Sequence, residues 1–151
     1  MRIRRYRESD HDDVWALHNL ALEGTGAHAG NGPWDDDLHH VKDIYLNSDG
    51  EFLVGVHDQR IVAMGALKRT STDRAEVKRM RVHPDFQRRG FGRAVLQRLE
   101  SRAADLGYTT LHLETTVQQA PARQLYVQSG YSEVGRSKLG RFGVIIYEKP
   151  L

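Results

Sequence analysis

The sequence predicts a mixed α/β (α+β) fold: a mostly antiparallel sheet with one parallel strand pair inside it, flanked by about four helices. Three observations predict it. Apolar periodicity orders the elements as β, α, α, three strands, α, β, α, β, β. Residues 75–82 and 110–116 read as strands separated by a long amphipathic stretch, and such a crossover makes two strands parallel. Residues 52–56 with 61–67, and 131–136 with 144–149, read as hairpins. At 151 residues the chain is expected to form one domain over 1–151, with a real core.

In chain order, Ile3 and Tyr6 lie in a short β-like opening. Ser9 and Asp10 are good N-cap types for a helix over His11–Glu23, and Val14, Leu17 and Ala21 form its apolar stripe. Residues 24–33 contain four glycines and are expected to form a mobile loop, closed by Trp34. A second helix is expected to start at Asp35, Asp36 and Asp37 and to run through Leu38, Val41, Ile44 and Tyr45. Phe52, Val54 and Val56 alternate as a strand, and Asp58-Gln59 turns it back. In the strand 75–82 the apolar parity slips, from odd positions at Ala75 and Val77 to even ones at Met80 and Val82. A β-bulge near Lys78-Arg79 reconciles the two halves. The next helix carries Val95, Leu96, Leu99, Ala103 and Leu106 on one face, with Gly107 suited to its C′ position. Pro121 opens the last helix and Gly130 ends it.

Composition narrows the function classes. Hydrophobic content of 39% and a mean hydropathy of −0.60 fit a soluble globular protein. No apolar run approaches the roughly 20 residues of a membrane span, so no membrane partner is expected. No apolar segment follows the N-terminal arginines, and no signal peptide is expected. The chain has no cysteine, which excludes disulfides, thiolate metal sites and a cysteine nucleophile and is compatible with a reducing cytoplasm. A net charge of +2 is too small to argue for a nucleic-acid partner.

The positive charge is nevertheless focused. Between Lys78 and Arg93 stand Lys78, Arg79, Arg81, Arg88, Arg89 and Arg93 against Asp85 alone, a local net of +5. Within this stretch, Gln87-Arg88-Arg89-Gly90-Phe91-Gly92 leads directly into the long helix. The first N–H groups of a helix lack intrahelical partners and carry partial positive charge. Gly90 and Gly92 have no Cβ, so a phosphate can approach the backbone closely.

These residues also carry a resemblance. The chain is identified as a member of the GNAT N-acetyltransferase superfamily on three patterns. Gln87-Arg88-Arg89-Gly90-Phe91-Gly92 is similar to the family's Gln/Arg-x-x-Gly-x-Gly/Ala pyrophosphate loop, and Met80-Arg81-Val82-His83-Pro84 precedes it at the family's distance. Residues 119–131 resemble the late helix that ends in Leu-Tyr-x-x-x-Gly-Phe/Tyr. The element order matches from first strand to last. The resemblance implies that the parallel pair is central and splayed, with acetyl-CoA straddling the gap as co-substrate and no metal. Met80, Arg81 and Val82 would meet the pantetheine arm through their backbone. Gln87 and the residues Arg88, Arg89, Gly90, Phe91, Gly92 and Arg93 would hold the pyrophosphate.

The chemistry implied is acetyl transfer from a thioester to a primary amine of a small molecule or peptide. An alkylammonium must lose a proton, and the thiolate leaving group benefits from a donor. By resemblance, Tyr126 points at the sulfur, and a phenol stays protonated at neutral pH. Glu76 is the base the resemblance suggests, since it precedes Gln87 at the spacing of the catalytic glutamate in histone-acetylating members. Glu114, late on the partner strand, is the rival base or a binder of substrate ammonium. Main-chain donors of the bulged strand would serve the oxyanion. The connection between the first two helices usually walls the acceptor site in this fold, which brings in Trp34 and the acidic residues after it. Those acids either attract a cationic amine or complement the helix dipole.

Two positions depart from the family pattern. Gln119 stands where many members place an asparagine that contacts the cofactor arm. Arg79 and Arg81 share one strand face, and one of them is suited to an anionic substrate group. The eight histidines, including His28, His39, His40 and His112, show no metal spacing. Two alternative functions remain. In a dinucleotide site Glu114 would grip a ribose, but Val95 replaces the third glycine. The other is a non-catalytic acyl-CoA-binding regulatory module. A homodimer is common in the family.

Overall fold

The computed structural model describes residues 1–23 and 30–151. Its strands are β1 (Arg2–Arg5), β2 (Glu51–His57), β3 (Arg60–Arg69), β4 (Arg74–Val82), β5 (Thr110–Thr116), β6 (Ser132–Leu139) and β7 (Phe142–Pro150). They form one seven-stranded sheet in the order β1-β2-β3-β4-β5-β7-β6. Among the described residues β4 and β5 are the one parallel pair, and the other neighbours are antiparallel. The helices are α1 (His11–Glu23), α2 (Phe91–Asp105) and α3 (Ala120–Gln128). The expected fold class is therefore the observed one.

Side-chain alternation divides the core between the two sheet faces. Phe52, Val54, Met64 and Ala66 pack with Val14, Leu17, Leu38 and Tyr45 on one face. Leu53, Ala63 and Leu67 point the other way and join Val95, Leu96, Leu99 and Ala103 of α2. The apolar stripe of α2 is thus the face that buries. Each fully buried leucine on it contributes about 1.5–3 kcal/mol of hydrophobic stabilisation. Between β2 and β3, Asp58 and Gln59 both take left-handed φ values of 48° and 64°, the mirror-image turn that matches strand twist in a two-residue hairpin.

The bulge lies in β4. Met64 pairs with Arg81 and Ala66 with Lys78, so Arg79 and Met80 together oppose Gly65. Arg79 has φ +59°. A Cβ on Gly65 would lie 2.5 Å from the Met80 sulfur and 2.8 Å from Val95, so glycine lets Met80 fold under the sheet there. A bulge raises local twist. Just before it β4 leaves its parallel neighbour: β4 and β5 pair from Arg74↔Thr110 to Glu76↔His112 and no further.

The second helix departs from expectation. A 3-10 helix, Pro33–His39, is followed by a break at His40 (φ −140°, ψ 40°) and a π-helical turn, Lys42–Leu46. Three residues per turn place Asp35 and Leu38 on one side, and both are buried. Asp35 and Asp37 are held by partners across the fold, and this overrides a regular helix. Asp10, expected as an N-cap type for α1, turns back toward β1 and Arg7. It is buried, accepts two hydrogen bonds from Arg4 at 2.8 and 2.9 Å, and accepts another from the Arg7 amide at 2.8 Å. The glycine-rich loop, His28 included, falls mostly outside the described residues.

Candidate active site

Where β4 and β5 part, two cavities meet. One, about 650 Å³, runs along the Gln87–Arg93 loop and the start of α3. The other, about 780 Å³, lies against Glu76, Lys78, Glu114, Trp34 and the β6–β7 turn. Leu22, Met80, Arg81, Gln119 and Tyr126 line both and so form the junction.

The first cavity has the makings of an anion site. His83 accepts the Asp85 amide through Nδ1 at 3.1 Å and fixes the turn Pro84–Phe86 ahead of the loop. Arg88 and Gly90 take φ values of +63° and +79°. Gly90 caps α2 in this left-handed conformation, and the Ala94 amide donates to the Gly90 carbonyl at 3.0 Å. The amides of Phe91, Gly92 and Arg93 precede that bond and have no intrahelical acceptor. A Cβ on Gly92 would meet Leu125 and Val82 at 3.4 Å, so this glycine lets α2 approach α3 and β4 closely. Arg88 and Arg93 line the cavity, whereas the Arg89 side chain turns onto the Phe86 ring, 5.0 Å from its centroid.

Tyr126 is 5% exposed, and its ring packs on Tyr131 and Tyr147 at centroid distances of 5.9 and 6.2 Å. Burial pushes its phenol up to about 12, against a smaller downward pull from the Arg81 charge. The hydroxyl is therefore a proton carrier at neutral pH. Gln119 donates from Nε2 to the Thr116 hydroxyl at 3.1 Å, which turns its amide along the mouth of the gap.

Glu76 and Glu114 both line the second cavity, Glu76 at the last paired position of β4 and Glu114 exposed on β5. Among the described residues neither forms an ion pair. Trp34 stands 60% exposed at the rim and donates through its indole N–H to the Gly30 carbonyl at 3.1 Å.

The acidic residues after Trp34 do not form an open acidic wall. Arg79 reaches across and donates to Asp37 at 2.5 and 2.9 Å, to the Trp34 carbonyl at 2.7 Å and to Asp35 at 3.5 Å. Burial raises the Asp37 pKa, but the Arg79 bonds and charge and the Tyr45 hydroxyl outweigh it and hold the carboxyl below its usual range. The Tyr45 hydroxyl donates to Asp37 at 2.5 Å. His18, 1% exposed, contacts Asp35 through Nε2 at 3.1 Å. Burial, and then the charges of Arg81 and Arg79, push the imidazole down to about 4, so it is neutral and donates its Nε2–H to Asp35. The sequence reading missed this network. Its signal was a histidine on the apolar stripe of α1, where Val14, Leu17, His18 and Ala21 fall on one side.

Comparison with known proteins agrees with this geometry. The acetyltransferase (GNAT) family model matches residues 12–131. An IAA acetyltransferase from Azospirillum brasilense is 36% identical over 122 residues, covering 76% of this chain and 78% of that protein. A [ribosomal protein bS18]-alanine N-acetyltransferase from Salmonella typhimurium is 38% identical over 104 residues, covering 67% of this chain and 66% of that protein. A GNAT-family acetyltransferase from Staphylococcus aureus Mu50 superposes with a TM-score of 0.91 at 20% identity, over 99% of this chain and 98% of that one. The PaiA N-acetyltransferase of Thermoplasma acidophilum, solved in complex with coenzyme A, superposes with a TM-score of 0.80 at 18% identity, over 99% and 98%. The chain belongs to the GNAT acetyltransferase family, a class of acyltransferases.

Proposed function

We propose that the protein transfers an acetyl group from acetyl-CoA to a primary amine of a small molecule or peptide, directly, within a ternary complex. One observation carries the reading: the two cavities meet at Tyr126, in the gap between β4 and β5. The first cavity fits coenzyme A in its chemistry. Amides at the start of α2, with Arg88 and Arg93, suit a pyrophosphate. The main chain of Met80, Arg81 and Val82, beyond the last β4–β5 pair, suits a polar arm laid alongside it. When bound, acetyl-CoA supplies an acetyl group activated as a thioester.

The chain's own residues then do the following. Tyr126 holds a proton at the junction and delivers it to the leaving sulfur. Glu76, or Glu114 in its place, takes the proton of the acceptor ammonium from the second cavity. Gln119 spans the junction and orients the arm. Main-chain donors around the bulge face the developing negative oxygen. The chain lacks cysteine, the side chain best suited to accept an acyl group from a thioester, which supports direct transfer. The relatives' names cover different acceptors, so they do not select one here. Among the described residues no helix is long and apolar enough to cross a membrane, and a cytoplasmic setting belongs to the same reading.

The test is a thiol-release assay with acetyl-CoA and a panel of primary amines. Turnover on at least one amine class is the expected result. Tight acetyl-CoA binding with no turnover on any amine identifies a non-catalytic acyl-CoA-binding module instead. NADH binding in place of acetyl-CoA points to a dinucleotide site.

A further inference from the structure

Arg81 stands one residue beyond the bulge and lines both cavities. Its hydrogen bonding is incomplete. One guanidinium nitrogen, Nη1, donates to the Met80 carbonyl of its own strand at 2.8 Å. Its Nε is buried without an acceptor. Among the described residues no carboxylate forms an ion pair with it. Arg79, two positions earlier, shows what a satisfied arginine looks like here, with Asp37, Asp35 and the Trp34 carbonyl around it.

A guanidinium carries five N–H donors and stays charged, and a half-buried charge without a partner loses part of its hydration uncompensated. Of the acids around Arg81, Asp35 and Asp37 are already engaged, and Glu76 and Glu114 line the same cavity without forming an ion pair with it. Asp35 is held by His18 and Arg79, and Asp37 by Arg79 and Tyr45. Residues 24–29, next to Leu22 and Glu23 in the chain, contain no Asp or Glu. Burial and the Arg79 charge lower the Arg81 pKa to about 10, so the side chain still carries its charge at neutral pH. An anionic group on a ligand in this cavity would supply the missing counter-charge. The loop at 88–93 already offers the pyrophosphate its own donors at the far end of the first cavity, which leaves the acceptor as the source. A planar fork of donors matches a carboxylate best.

The rest of the acceptor cavity agrees. Glu76 and Glu114 offer unpaired carboxylates for an ammonium, while Phe142, Val144 and Trp34 supply apolar wall. Cation and anions together complement a zwitterion. Resting on the acetyl-transfer reading, we propose that Arg81 anchors a carboxylate of the acceptor, which is a free amino acid or close analogue with its carboxylate beside the primary amine. A peptide N-terminus lacks that group.

The experiment compares matched pairs. The twenty common amino acids and their carboxamides are assayed by thiol release with saturating acetyl-CoA. The acid of an accepted pair is expected to exceed its amide in kcat/KM by about ten- to a hundred-fold, the scale of a charge-assisted bidentate contact. Arg81→Gln is expected to raise KM for the acid and to collapse the acid-to-amide ratio to within about three-fold, and Arg81→Lys to restore part of it. The wild-type comparison stands even where a variant does not fold. Amides turned over as well as acids overturn the carboxylate anchor and leave the acetyltransferase reading intact. Acetyl-CoA binding with neither acids nor amides turned over overturns the amino-acid acceptor, and turnover on the wider amine panel then decides the acetyl-transfer reading separately.

Discussion

Arg79 and Asp37 are joined by two hydrogen bonds, 2.5 and 2.9 Å long, that tie the bulge of β4 to the 3-10 turn walling the acceptor cavity. Both side chains are largely buried, with relative exposures of 12% and 14%. Removing one partner strands the other charge. Asp37→Asn or Arg79→Met is expected to cost about 3 kcal/mol. Urea denaturation measures it, and a loss below about 0.5 kcal/mol in both variants contradicts the role given to the pair.

The same network sets an acid limit. His18 titrates near 4 in the fold, against 6.5 for the free side chain. Between those values the unfolded chain binds a proton that the folded chain does not. Stability is therefore fully present above about pH 6.5 and falls as pH drops toward 4, by about 2–3 kcal/mol. Thermal melts at pH 7, 6, 5 and 4.5 should show the decline. His18→Gln should flatten it over the upper part of that window. A wild-type curve that stays level from pH 7 to 4.5 contradicts the buried neutral imidazole.

Tyr126→Phe removes a proton and leaves the packing against Tyr131 and Tyr147. It is expected to lower kcat by about a hundred-fold or more, while acetyl-CoA affinity changes only a few-fold. The phenol titrates at about 12, so wild-type activity should show no alkaline loss from this group below about pH 11. Unchanged kcat in the variant removes Tyr126 from the reaction.

Gly90 has open space around a would-be Cβ but a φ of +79°. The cost of Gly90→Val is thus conformational, about 1–2 kcal/mol of backbone strain, and it turns the first amides of α2 away from their shared target. Acetyl-CoA affinity by calorimetry is expected to fall about ten-fold. Native affinity in this variant contradicts the loop assignment.

Glu76→Gln and Glu114→Gln separate the two bases. The variant lacking the true base should show its largest rate deficit at low pH, where most of the amine is protonated, and the deficit should shrink as pH rises. Parallel pH–rate profiles for wild type and both variants assign proton removal to water.

The elements whose signals are local were legible in the sequence. The stripe from Val95 to Ala103, the crossover into 110–116 and the glycines at 90 and 92 needed no distant partner. The parity slip between Val77 and Met80 announced the bulge, which falls at Arg79–Met80 because Gly65 lies opposite. The second helix was not legible. Asp35 and Asp37 look like helix-starting acids, yet Arg79, more than forty positions away, turns them inward. For the same reason the division of labour between Arg79 and Arg81 was hidden: the sequence puts them on one strand face and says nothing of which one meets an acid.

A crystal structure with bound coenzyme A tests the central claim most directly. The account predicts the pyrophosphate on the amides of 90–93, the arm along 80–82, and the sulfur within about 3.5 Å of the Tyr126 hydroxyl. A coenzyme bound elsewhere, or β4 and β5 hydrogen-bonded along their whole length with the sulfur far from Tyr126, contradicts it.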